Sequence, residues 1–424
     1  MNELALFSGD DVLAERVREA LRQLAADFEL RRVTSAEGVI RDLNFEFPHV
    51  TVVNVDDPVV DGMGLLEEMK RDPWLHYGAL IVVHAHTDEA IAAAAAKGLN
   101  LVALIPYDLV DTYLPRALRI IRDNHQILYQ RDIHLLLRAH HSGSFVLDND
   151  PFDLLTYSRL LANFLFNFNL ITDEQRDRFH VALMELLVNA VEHGNCGITY
   201  EEKSAYLAGH DNSLDLIRER IRDPAVAARR VYLSYRIAPE ETVVTIRDEG
   251  AGFDWRAYRA ATGEEGLEEM HGRGILMAQA YIDDLSYNDA GNEVTLKLRH
   301  APGEAPHLPR GFAEVEEIRV GDGDRVFTEG ERSTHLYYIV SGRYEVTVGG
   351  RHVSVLTAAD VFVGEMSFLL NNRRSATVTA VSDGLLLRID KDQFVQAIRN
   401  NPHYGILLAR LLASRLVALH HLPD

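Results

Sequence analysis

The sequence predicts a multidomain protein with three folds in succession: a doubly wound α/β domain, a mixed α+β domain, and a β jelly roll with C-terminal helices. Three observations predict this order. Residues 1–108 alternate short apolar runs with helical patterns, and residues 145–300 mix helices with alternating strands. A proline-rich stretch then precedes short strands separated by glycines. A length of 424 residues allows two to four domains.

Composition and charge limit the classes of function. The formal charge of −21 disfavours nucleic acid and anionic membrane as partners, because phosphates need clustered cations. No apolar run reaches the roughly 18 residues of a membrane-spanning helix, and the N-terminus lacks the basic start of a signal peptide. The single cysteine, Cys196, cannot form a disulfide within the chain. We therefore expect a cytoplasmic protein.

The first domain is predicted from apolar runs that suit buried parallel strands. These runs are Leu4–Phe7, His49–Val53 and Ala79–Val83. Helical patterns at Leu13–Leu24 and Gly64–Lys70 lie between them. Strands that alternate with helices indicate a doubly wound sheet.

A helix is predicted from Asp111 to Arg138, with leucines and isoleucines at near-heptad spacing. That stripe favours either a short dimerising coiled coil or packing on the helix's own domain. The segment Ser142–Ser144 is expected to end the helix.

The remaining elements follow from strand and turn patterns. Val231–Ile237, Val243–Arg247 and Glu293–Leu298 read as antiparallel strands, and glycine turns after the proline-rich stretch indicate a small β barrel or jelly roll. Helices are expected from Lys391 to Leu422. The predicted segments are a first domain at 1–122, a helical linker at 123–143, a second domain at 144–300, a linker at 301–311 and a third domain at 312–424.

One helix of the second domain carries a candidate magnesium site. Its start is marked by Thr172 and Gln175, a capping-box pattern. Glu185, Asn189 and His193 follow at spacings of four and share a face. A carboxylate and an amide oxygen one turn apart suit a Mg²⁺ ion that keeps several waters and bridges phosphates.

Two glycine-rich motifs complete a candidate nucleotide site. Asp248 follows a strand and precedes Gly250 and Gly252, so its carboxylate can accept from an exocyclic amine while the glycines allow close backbone approach. Gly272 and Gly274 lead into an apolar helix whose N–H groups can hold phosphate.

In this order and spacing, residues 145–300 resemble the Bergerat-fold (GHKL) ATPases. The finer resemblance is to anti-sigma-factor serine kinases of the RsbW and SpoIIAB type, through His193-Gly194-Asn195 and Gly291-Asn-Glu-Val-Thr295. The resemblance implies that Asn189 ligates Mg²⁺, Glu185 is the general base and Asp248 reads adenine of ATP. It also implies phosphoryl transfer to a serine or threonine of an antagonist (STAS-type) protein.

Two features bear on that activity. Tyr200–Arg229 is a charged helical insertion that minimal anti-sigma kinases lack, and it could dock a partner or cover the site. A histidine autokinase needs an acceptor such as His134, His140 or His141. None of these has the expected acceptor context, so exposed helix-end histidines are the simpler interpretation.

The third domain carries the residues that a cyclic phosphate requires. Arg374 supplies a bidentate positive charge, Gly364 allows close approach, Glu365 can accept the ribose 2′-hydroxyl, and Ser375 adds a donor. Residues 312–422 resemble the cyclic nucleotide-binding domains of the CAP and protein-kinase-A regulatory family.

That resemblance implies binding of cAMP, or alternatively cGMP, with Ser375 leaning towards cAMP. One departure is Ala359–Gly364, which carries one residue more than the family's usual Gly-Asp-x-Phe-Gly. A jelly roll that binds nothing is the alternative.

Residues 1–122 resemble a response-regulator receiver through the segment around Asp61 and Gly62. Counting back places Asn54 at the phosphoacceptor position, and the acidic-pair, hydroxyl and lysine positions also lack their usual residues. These positions hold Ser8, Gly9, His84 and Ile105. A slip of one residue could bring in Asp10 or Asp56 without restoring the lysine. The resemblance implies a pseudo-receiver used for docking or dimerisation.

We therefore expect a cytoplasmic signalling protein whose ATP-dependent serine/threonine kinase domain is regulated by a cyclic nucleotide. The expected partner is a regulatory protein of an anti-sigma pathway, with homodimerisation possible through the predicted helix at Asp111–Arg138. A non-catalytic ATP-dependent binding switch is the first alternative, and a histidine kinase is the second.

Overall fold

A computed structural model describes most of the chain. The described residues are 2–24, 27–46, 48–57, 59–72, 75, 78–124, 141–167, 170–209, 214–238, 240–253, 255, 273–301, 312, 315–357, 360–370, 373–406, 408, 409 and 412. The chain divides into two compact units, one holding 1–134, 167–169 and 302–424, the other holding 135–166 and 170–301. Within the described residues, no helix is long and apolar enough to cross a membrane.

The N-terminal part of the first unit is a parallel sheet of five strands in the order β2-β1-β3-β4-β5. The strands are β1 Asn2–Phe7, β2 Phe28–Val33, β3 Val50–Asn54, β4 Ala79–His84 and β5 Leu101–Pro106. This is the flavodoxin-like strand order. The three apolar runs predicted as strands are β1, β3 and β4.

Within the described residues, five α-helices accompany this sheet. They are α1 Asp11–Arg22, α2 Ala36–Phe45, α3 Gly62–Arg71, α4 Glu89–Ala96 and α5 Val110–Asp123. Helix α1 packs against α5 and α3 packs against α4, as a doubly wound sheet requires. Helix α5 ends at Asp123, and the rest of the helix predicted to Arg138 lies outside the described residues.

The second unit contains an antiparallel sheet of five strands in the order β6-β7-β8-β10-β9. The strands are β6 His141–Leu147, β7 Val231–Ile237, β8 Glu241–Arg247, β9 Asp284–Tyr287 and β10 Glu293–Arg299. Burial alternates along β7, β8 and β10, so one face of the sheet is covered.

The segment Ser142–Ser144 does not end a helix, because it lies inside β6. Gly143 pairs with Tyr235 of β7, and a Cβ at Gly143 would lie 2.5 Å from the Tyr235 hydroxyl oxygen. The glycine therefore makes room for an aromatic ring and does not mark a helix terminus. The strand also places the start of this sheet at His141, ahead of the predicted boundary at 144.

Six helices accompany this sheet in the described residues. They are α6 Pro151–Asn167, α7 Asp173–Asn189, α8 Tyr200–Leu207, α9 Leu214–Arg220, α10 Pro224–Ala227 and α11 Arg273–Tyr281. The capping box at the start of α7 is confirmed, with Gln175 N donating to Thr172 Oγ1 at 3.1 Å. The predicted insertion is helical, since it contains α8, α9 and α10.

The C-terminal part of the first unit is a jelly roll of two four-stranded antiparallel sheets, ordered β11-β18-β13-β16 and β12-β17-β14-β15. Its strands are β11 Glu316–Val320, β12 Arg325–Phe327, β13 His335–Ser341, β14 Tyr344–Val348, β15 Arg351–Leu356, β16 Phe362–Val363, β17 Thr377–Ala380 and β18 Gly384–Asp390. A short helix, α12 Glu365–Leu369, follows β16, and α13 Lys391–Asn400 follows β18.

The predicted C-terminal helix is interrupted after α13. Asn401 and Pro402 break it, since a proline cannot donate a helical hydrogen bond. A further helical turn at residues 403–406 places Tyr404 in the core of the jelly roll. Residues 413–424 lie outside the described residues.

Candidate nucleotide-binding sites

Glu185 and Asn189 lie one helical turn apart in the last part of α7, both half-buried. A π-helical segment, Ala190–Asn195, follows Asn189 and contains His193. Nδ1 of His193 lies 2.6 Å from the carbonyl oxygen of Ile198.

A buried ion pair fixes the insertion to this π-helical segment. Glu192 is fully buried, and its Oε2 lies 2.6 Å from Nζ of Lys203 on α8. The other carboxylate oxygen, Oε1, has no hydrogen-bond partner in the part of the chain that the structure describes. Sequence reasoning missed this pair, since nothing in the local pattern marks two residues on either side of a loop as partners.

Asp248 is held in a buried turn directly after β8, where only 8% of the residue is exposed. Burial raises the pKa of its carboxyl to about 6, although the Gly250 N–H donates to Oδ1 at 2.8 Å. A Cβ at Gly194 would lie 2.4 Å from Asp248 Cγ, and one at Gly250 would lie 2.4 Å from the Gly194 oxygen. Only glycines allow this turn to pack on the end of the π-helical segment.

Asn195 positions the same turn. Its Oδ1 accepts from the Glu249 N–H at 2.8 Å, and its Nδ2 donates to Asn149 Oδ1 at 2.7 Å and to the Arg230 carbonyl at 3.1 Å. The side chain is fully buried. The motif His193-Gly194-Asn195 carries a family resemblance in the sequence, and the structure adds the roles of Gly194 and Asn195 in holding Asp248.

The remaining glycines of the ATP motif are placed as follows. Gly252 has φ +76°, and a Cβ there would lie 1.9 Å from the Ala290 oxygen, so this loop crosses the loop that carries Gly291. Gly274 lies in the first turn of α11, which packs against α7. Gly272 lies outside the described residues.

The donor set around α7 suits Mg²⁺ as a partner of phosphate. The described residues contain no group of three or more His, Cys, Asp or Glu side chains placed to hold a metal ion. Mg²⁺ does not need such a group, because it keeps several waters and binds through one or two protein oxygens plus phosphates. Glu185 and Asn189 offer such oxygens one turn apart.

In the jelly roll, Arg374 is a buried cation, with 4% of the residue exposed. It donates from Nη1 to the Gly364 carbonyl at 3.0 Å and to Ser367 Oγ at 3.1 Å, and from Nη2 to the His335 carbonyl at 2.7 Å. Its guanidinium lies 4.2 Å from the centre of the Phe327 ring. Within the described residues these hydrogen-bond partners are all uncharged, and burial lowers the pKa of Arg374. Such a group stabilises a bound anion.

Gly364 is required next to this arginine. It has φ +83° at the start of α12, and a Cβ there would lie 2.3 Å from Arg374 Nη1. Glu365 is the first residue of α12 and is buried, whereas Ser375 is exposed beside Arg374. The structure therefore brings Gly364, Glu365 and Arg374 together and leaves Ser375 at the surface.

The segment with one residue more than the family pattern, Ala359–Gly364, contains a residue with an unusual backbone conformation. Val361 has φ +63°, in the left-handed region that β-branched residues rarely adopt. Its carbonyl nonetheless accepts from the Ile339 N–H at 2.8 Å. The chain thus accommodates the longer segment by a strained turn directly before β16.

Comparisons with known proteins agree with two of the three domains. Residues 148–298 match the family described as histidine kinase-like ATPase domain, and residues 317–401 match the cyclic nucleotide-binding domain. The chain therefore contains a cyclic nucleotide-binding domain and a GHKL-type ATPase domain.

Two similar curated proteins are named for cyclic AMP. The cyclic AMP receptor protein of Thermus thermophilus is 35% identical over 99 residues, which are 22% of this chain and 45% of that protein. The cAMP-dependent protein kinase type II regulatory subunit of Drosophila melanogaster is 35% identical over 78 residues, which are 18% of this chain and 20% of that protein. The chain spans less than half the length of these relatives.

Among solved structures, the Thermus thermophilus catabolite activator protein is 30% identical, with a TM-score of 0.24. The match covers 26% of this chain and 54% of that chain.

Proposed function

We propose that this protein is a signalling protein in which a cyclic nucleotide regulates an ATP-dependent serine/threonine kinase domain of the anti-sigma type. The observation that carries the proposal is Arg374, a buried guanidinium in a cyclic nucleotide-binding domain whose side-chain hydrogen bonds go to two carbonyl oxygens and a hydroxyl. The matched ATPase domain in the same chain supplies the second nucleotide site.

In the jelly roll, the cyclic phosphate pairs with the guanidinium of Arg374 through two parallel N–H···O contacts. Glu365, buried beside it, accepts from the ribose 2′-hydroxyl, and Ser375 adds a donor at the entrance. The ligand is cAMP or, with the same contacts, cGMP. The curated relatives of this chain include proteins named for dependence on each of the two nucleotides.

In the ATPase domain, Asp248 accepts from the adenine amine, and Gly250, Gly252, Gly272 and Gly274 shape the pocket. Asn189 would hold Mg²⁺, which when bound would supply positive charge beside the phosphates. Glu185 accepts the proton of the attacking serine or threonine hydroxyl. The new bond joins that oxygen to the γ-phosphorus while the bond to ADP breaks. The target is a regulatory protein of the STAS type.

We further propose that the N-terminal domain is a pseudo-receiver. The strand register supports this proposal, since Phe7 pairs with Val53 and His84 pairs with Pro106. Ser8, Asn54 and His84 therefore lie at the carboxyl edge of the sheet. An amide at Asn54 cannot accept a phosphoryl group as a carboxylate does. Ile105, at the lysine position, is fully buried and uncharged.

A non-catalytic ATP-dependent binding switch is the second candidate. The observation that favours it is the buried Glu192–Lys203 pair, which fixes the insertion beside α7. The two candidates differ in their response to substitution. Loss of partner control in Asn189→Ala but not in Glu185→Ala favours the switch, whereas loss in both favours the kinase. His141 is the first residue of strand β6 and does not lie in a helix. This weakens the histidine kinase alternative, which needs an acceptor histidine on a helix. His134 and His140 lie outside the described residues.

Incubation of the full chain with [γ-³²P]ATP and candidate STAS-type proteins, with and without cAMP, tests the proposal. We expect radiolabel on a serine or threonine of the partner and a change in its rate on addition of cAMP. Glu185→Ala serves as the inactive control. Absence of transfer to every candidate, in both conditions, would remove the kinase assignment.

A further inference from the structure

Two buried side-chain amides, Asn149 and Asn195, join the end of the helical insertion to the turn that carries Asp248. Asn195 Nδ2 donates to Asn149 Oδ1 at 2.7 Å, and both residues are buried. Asn149 lies between β6 and α6, outside the insertion. Its Nδ2 donates to the carbonyl oxygens of Val226 at 2.9 Å and of Arg229 at 3.1 Å. Arg229 is the last residue of the insertion, so Asn149 fixes the position at which the insertion ends.

Asn195 continues this connection to the turn after β8. Its Oδ1 accepts from the Glu249 N–H at 2.8 Å, and its Nδ2 also donates to the Arg230 carbonyl at 3.1 Å. The Arg230 N–H donates to Glu249 Oε2 at 2.9 Å. A ring of three hydrogen bonds therefore runs through Asn195, Glu249 and Arg230. Asn149 and Asn195 each donate and accept, and a buried network whose members are all satisfied specifies one arrangement.

The position of Asp248 depends on this arrangement. The Glu249 N–H belongs to the peptide that joins Asp248 to Glu249, so the bond from Asn195 fixes the backbone directly beside the Asp248 side chain. A Cβ at Gly194 would lie 2.4 Å from Asp248 Cγ, which shows how closely the backbone packs on the carboxyl group. Hydrogen bonds weaken steeply when their angle departs from linear. A small movement of the insertion's end therefore misaligns the Asp248 carboxylate.

We propose that the Asn149–Asn195 pair makes recognition of adenine by Asp248 depend on the conformation of the insertion's end. Both asparagines are positioning residues that act through Asp248. This role rests on the proposed contact between Asp248 and the adenine amine. It gives the insertion a regulatory part, because a partner that moves Val226 or Arg229 changes the preference of the domain for ATP.

Calorimetry of the full chain with ATP and with inosine triphosphate, both with Mg²⁺, tests the proposal. Inosine triphosphate carries an oxygen where ATP carries the exocyclic amine. We expect the wild type to bind ATP at least about tenfold more tightly, since a site built to accept from an N–H group rejects an analogue that lacks it. Asn149→Ala and Asn195→Ala should each lower this preference at least about threefold, because the Kd for ATP rises while that for inosine triphosphate changes little.

Leu298→Ala is the matched control. Leu298 is buried and pairs with Thr242 near the start of β8, whereas Asp248 follows the opposite end of that strand. The substitution loosens the same sheet away from Asp248, so the preference for ATP should stay within about twofold of wild type. An equal fall in Leu298→Ala and in the two asparagine variants would overturn the proposal.

Asp248→Ala distinguishes failure of the adenine contact from failure of the coupling. If the preference for ATP survives in Asp248→Ala, the adenine contact is wrong and the coupling falls with it. If the preference is lost there but retained in Asn149→Ala and Asn195→Ala, the contact stands and the coupling is overturned.

Hydrogen exchange of the wild type gives a second readout that needs no substitution. Binding of ATP should slow exchange of the amides at residues 225–230 at least about twofold, since the turn and the insertion's end then open less often. The effect should be absent in Asn149→Ala. Unchanged exchange at residues 225–230 in the wild type saturated with ATP would overturn the proposal, whatever the stability of the variants.

Discussion

Tyr404 donates its hydroxyl hydrogen bond to Asp72 Oδ2 at 2.9 Å, joining the jelly roll to the end of α3 in the N-terminal sheet domain. His403 Nε2 lies 3.0 Å from the same oxygen, and all three residues are buried. These two parts of the chain belong to one compact unit. A buried carboxylate shared by two donors is costly to disrupt, because each lost partner leaves a desolvated polar group.

We expect Tyr404→Phe to lower the free energy of unfolding of this unit by about 1–3 kcal/mol and Asp72→Ala to lower it by about 3–5 kcal/mol. Urea denaturation of the full chain measures both changes. Hydrogen exchange should show that α3 and the jelly roll open together in the wild type and separately in Asp72→Ala. Asp322→Ala, on an exposed turn, is the control. Stability within about 0.5 kcal/mol of wild type in both variants would contradict this account of the contact.

The buried carboxyl group of Asp248 is predicted to lower the free energy of unfolding at neutral pH and to contribute to ATP binding. Its pKa rises from 3.8 to about 6 on folding, so the folded chain binds more protons than the unfolded chain between those values. Stability therefore falls as pH rises through that window, and the loss is complete above pH 6. We expect Asp248→Asn to raise the free energy of unfolding at pH 7 by up to about 3 kcal/mol while weakening ATP binding.

Urea denaturation at pH 7 and pH 4, with calorimetry of ATP binding at pH 7, measures these two effects of Asp248→Asn. The gain in stability should shrink at the lower pH. A variant that binds ATP as wild type does, or that is less stable than wild type at pH 7, would contradict the role given to Asp248.

Adjacent arginines provide a matched test of the cyclic nucleotide site. Arg374 is buried and donates to the Gly364 carbonyl, whereas Arg373 is exposed and donates to the Gly330 carbonyl at 2.7 Å. We expect Arg374→Gln to raise the Kd for cAMP about 100-fold, since a charge-assisted bidentate contact to phosphate is lost. Arg373→Gln should change it less than threefold. Calorimetry measures both constants, and equal effects of the two substitutions would argue against the assigned phosphate contact.

Lys203→Met is expected to remove the ammonium group that pairs with buried Glu192, leaving His193 Nε2 3.8 Å from Glu192 Oε2, and to cost about 3 kcal/mol. The loss should appear as faster hydrogen exchange in α8 and in the π-helical segment Ala190–Asn195. Adding Glu192→Gln to Lys203→Met removes the unpaired charge and should restore part of the protection. Unaltered exchange in α8 of Lys203→Met would show that the ion pair does not hold the insertion.

Elements with strong local signals were predictable from the sequence. The apolar runs of β1, β3 and β4 and the capping box of α7 needed no tertiary information. Strand β2, Phe28-Glu-Leu-Arg-Arg-Val33, was not predicted, since its three charged residues mask a strand pattern. The prediction that Ser142–Ser144 ends a helix is wrong, because Gly143 lies in strand β6 and makes room for the Tyr235 ring of the neighbouring strand.

The contacts of the candidate sites also differ in how far the sequence predicts them. Gly364, Glu365 and Arg374 are close in sequence, and the structure brings them together. The Glu192–Lys203 and Asp72–Tyr404 contacts depend on how the chain folds back on itself, which no local periodicity encodes. The π-helical segment after Asn189 could not be predicted either, because one wider turn does not alter the spacing of apolar residues in a helical pattern.

The proposed function requires that cyclic nucleotide binding in the jelly roll alters ATP binding in the GHKL-type domain. Calorimetry of ATP–Mg²⁺ binding to the full chain, with and without saturating cAMP, measures this coupling. We predict a change in the Kd for ATP of at least about fivefold, or about 1 kcal/mol, an equal reciprocal change in the Kd for cAMP, and loss of both changes in Arg374→Gln. If both nucleotides bind and the Kd for ATP stays within twofold, the proposed function is contradicted.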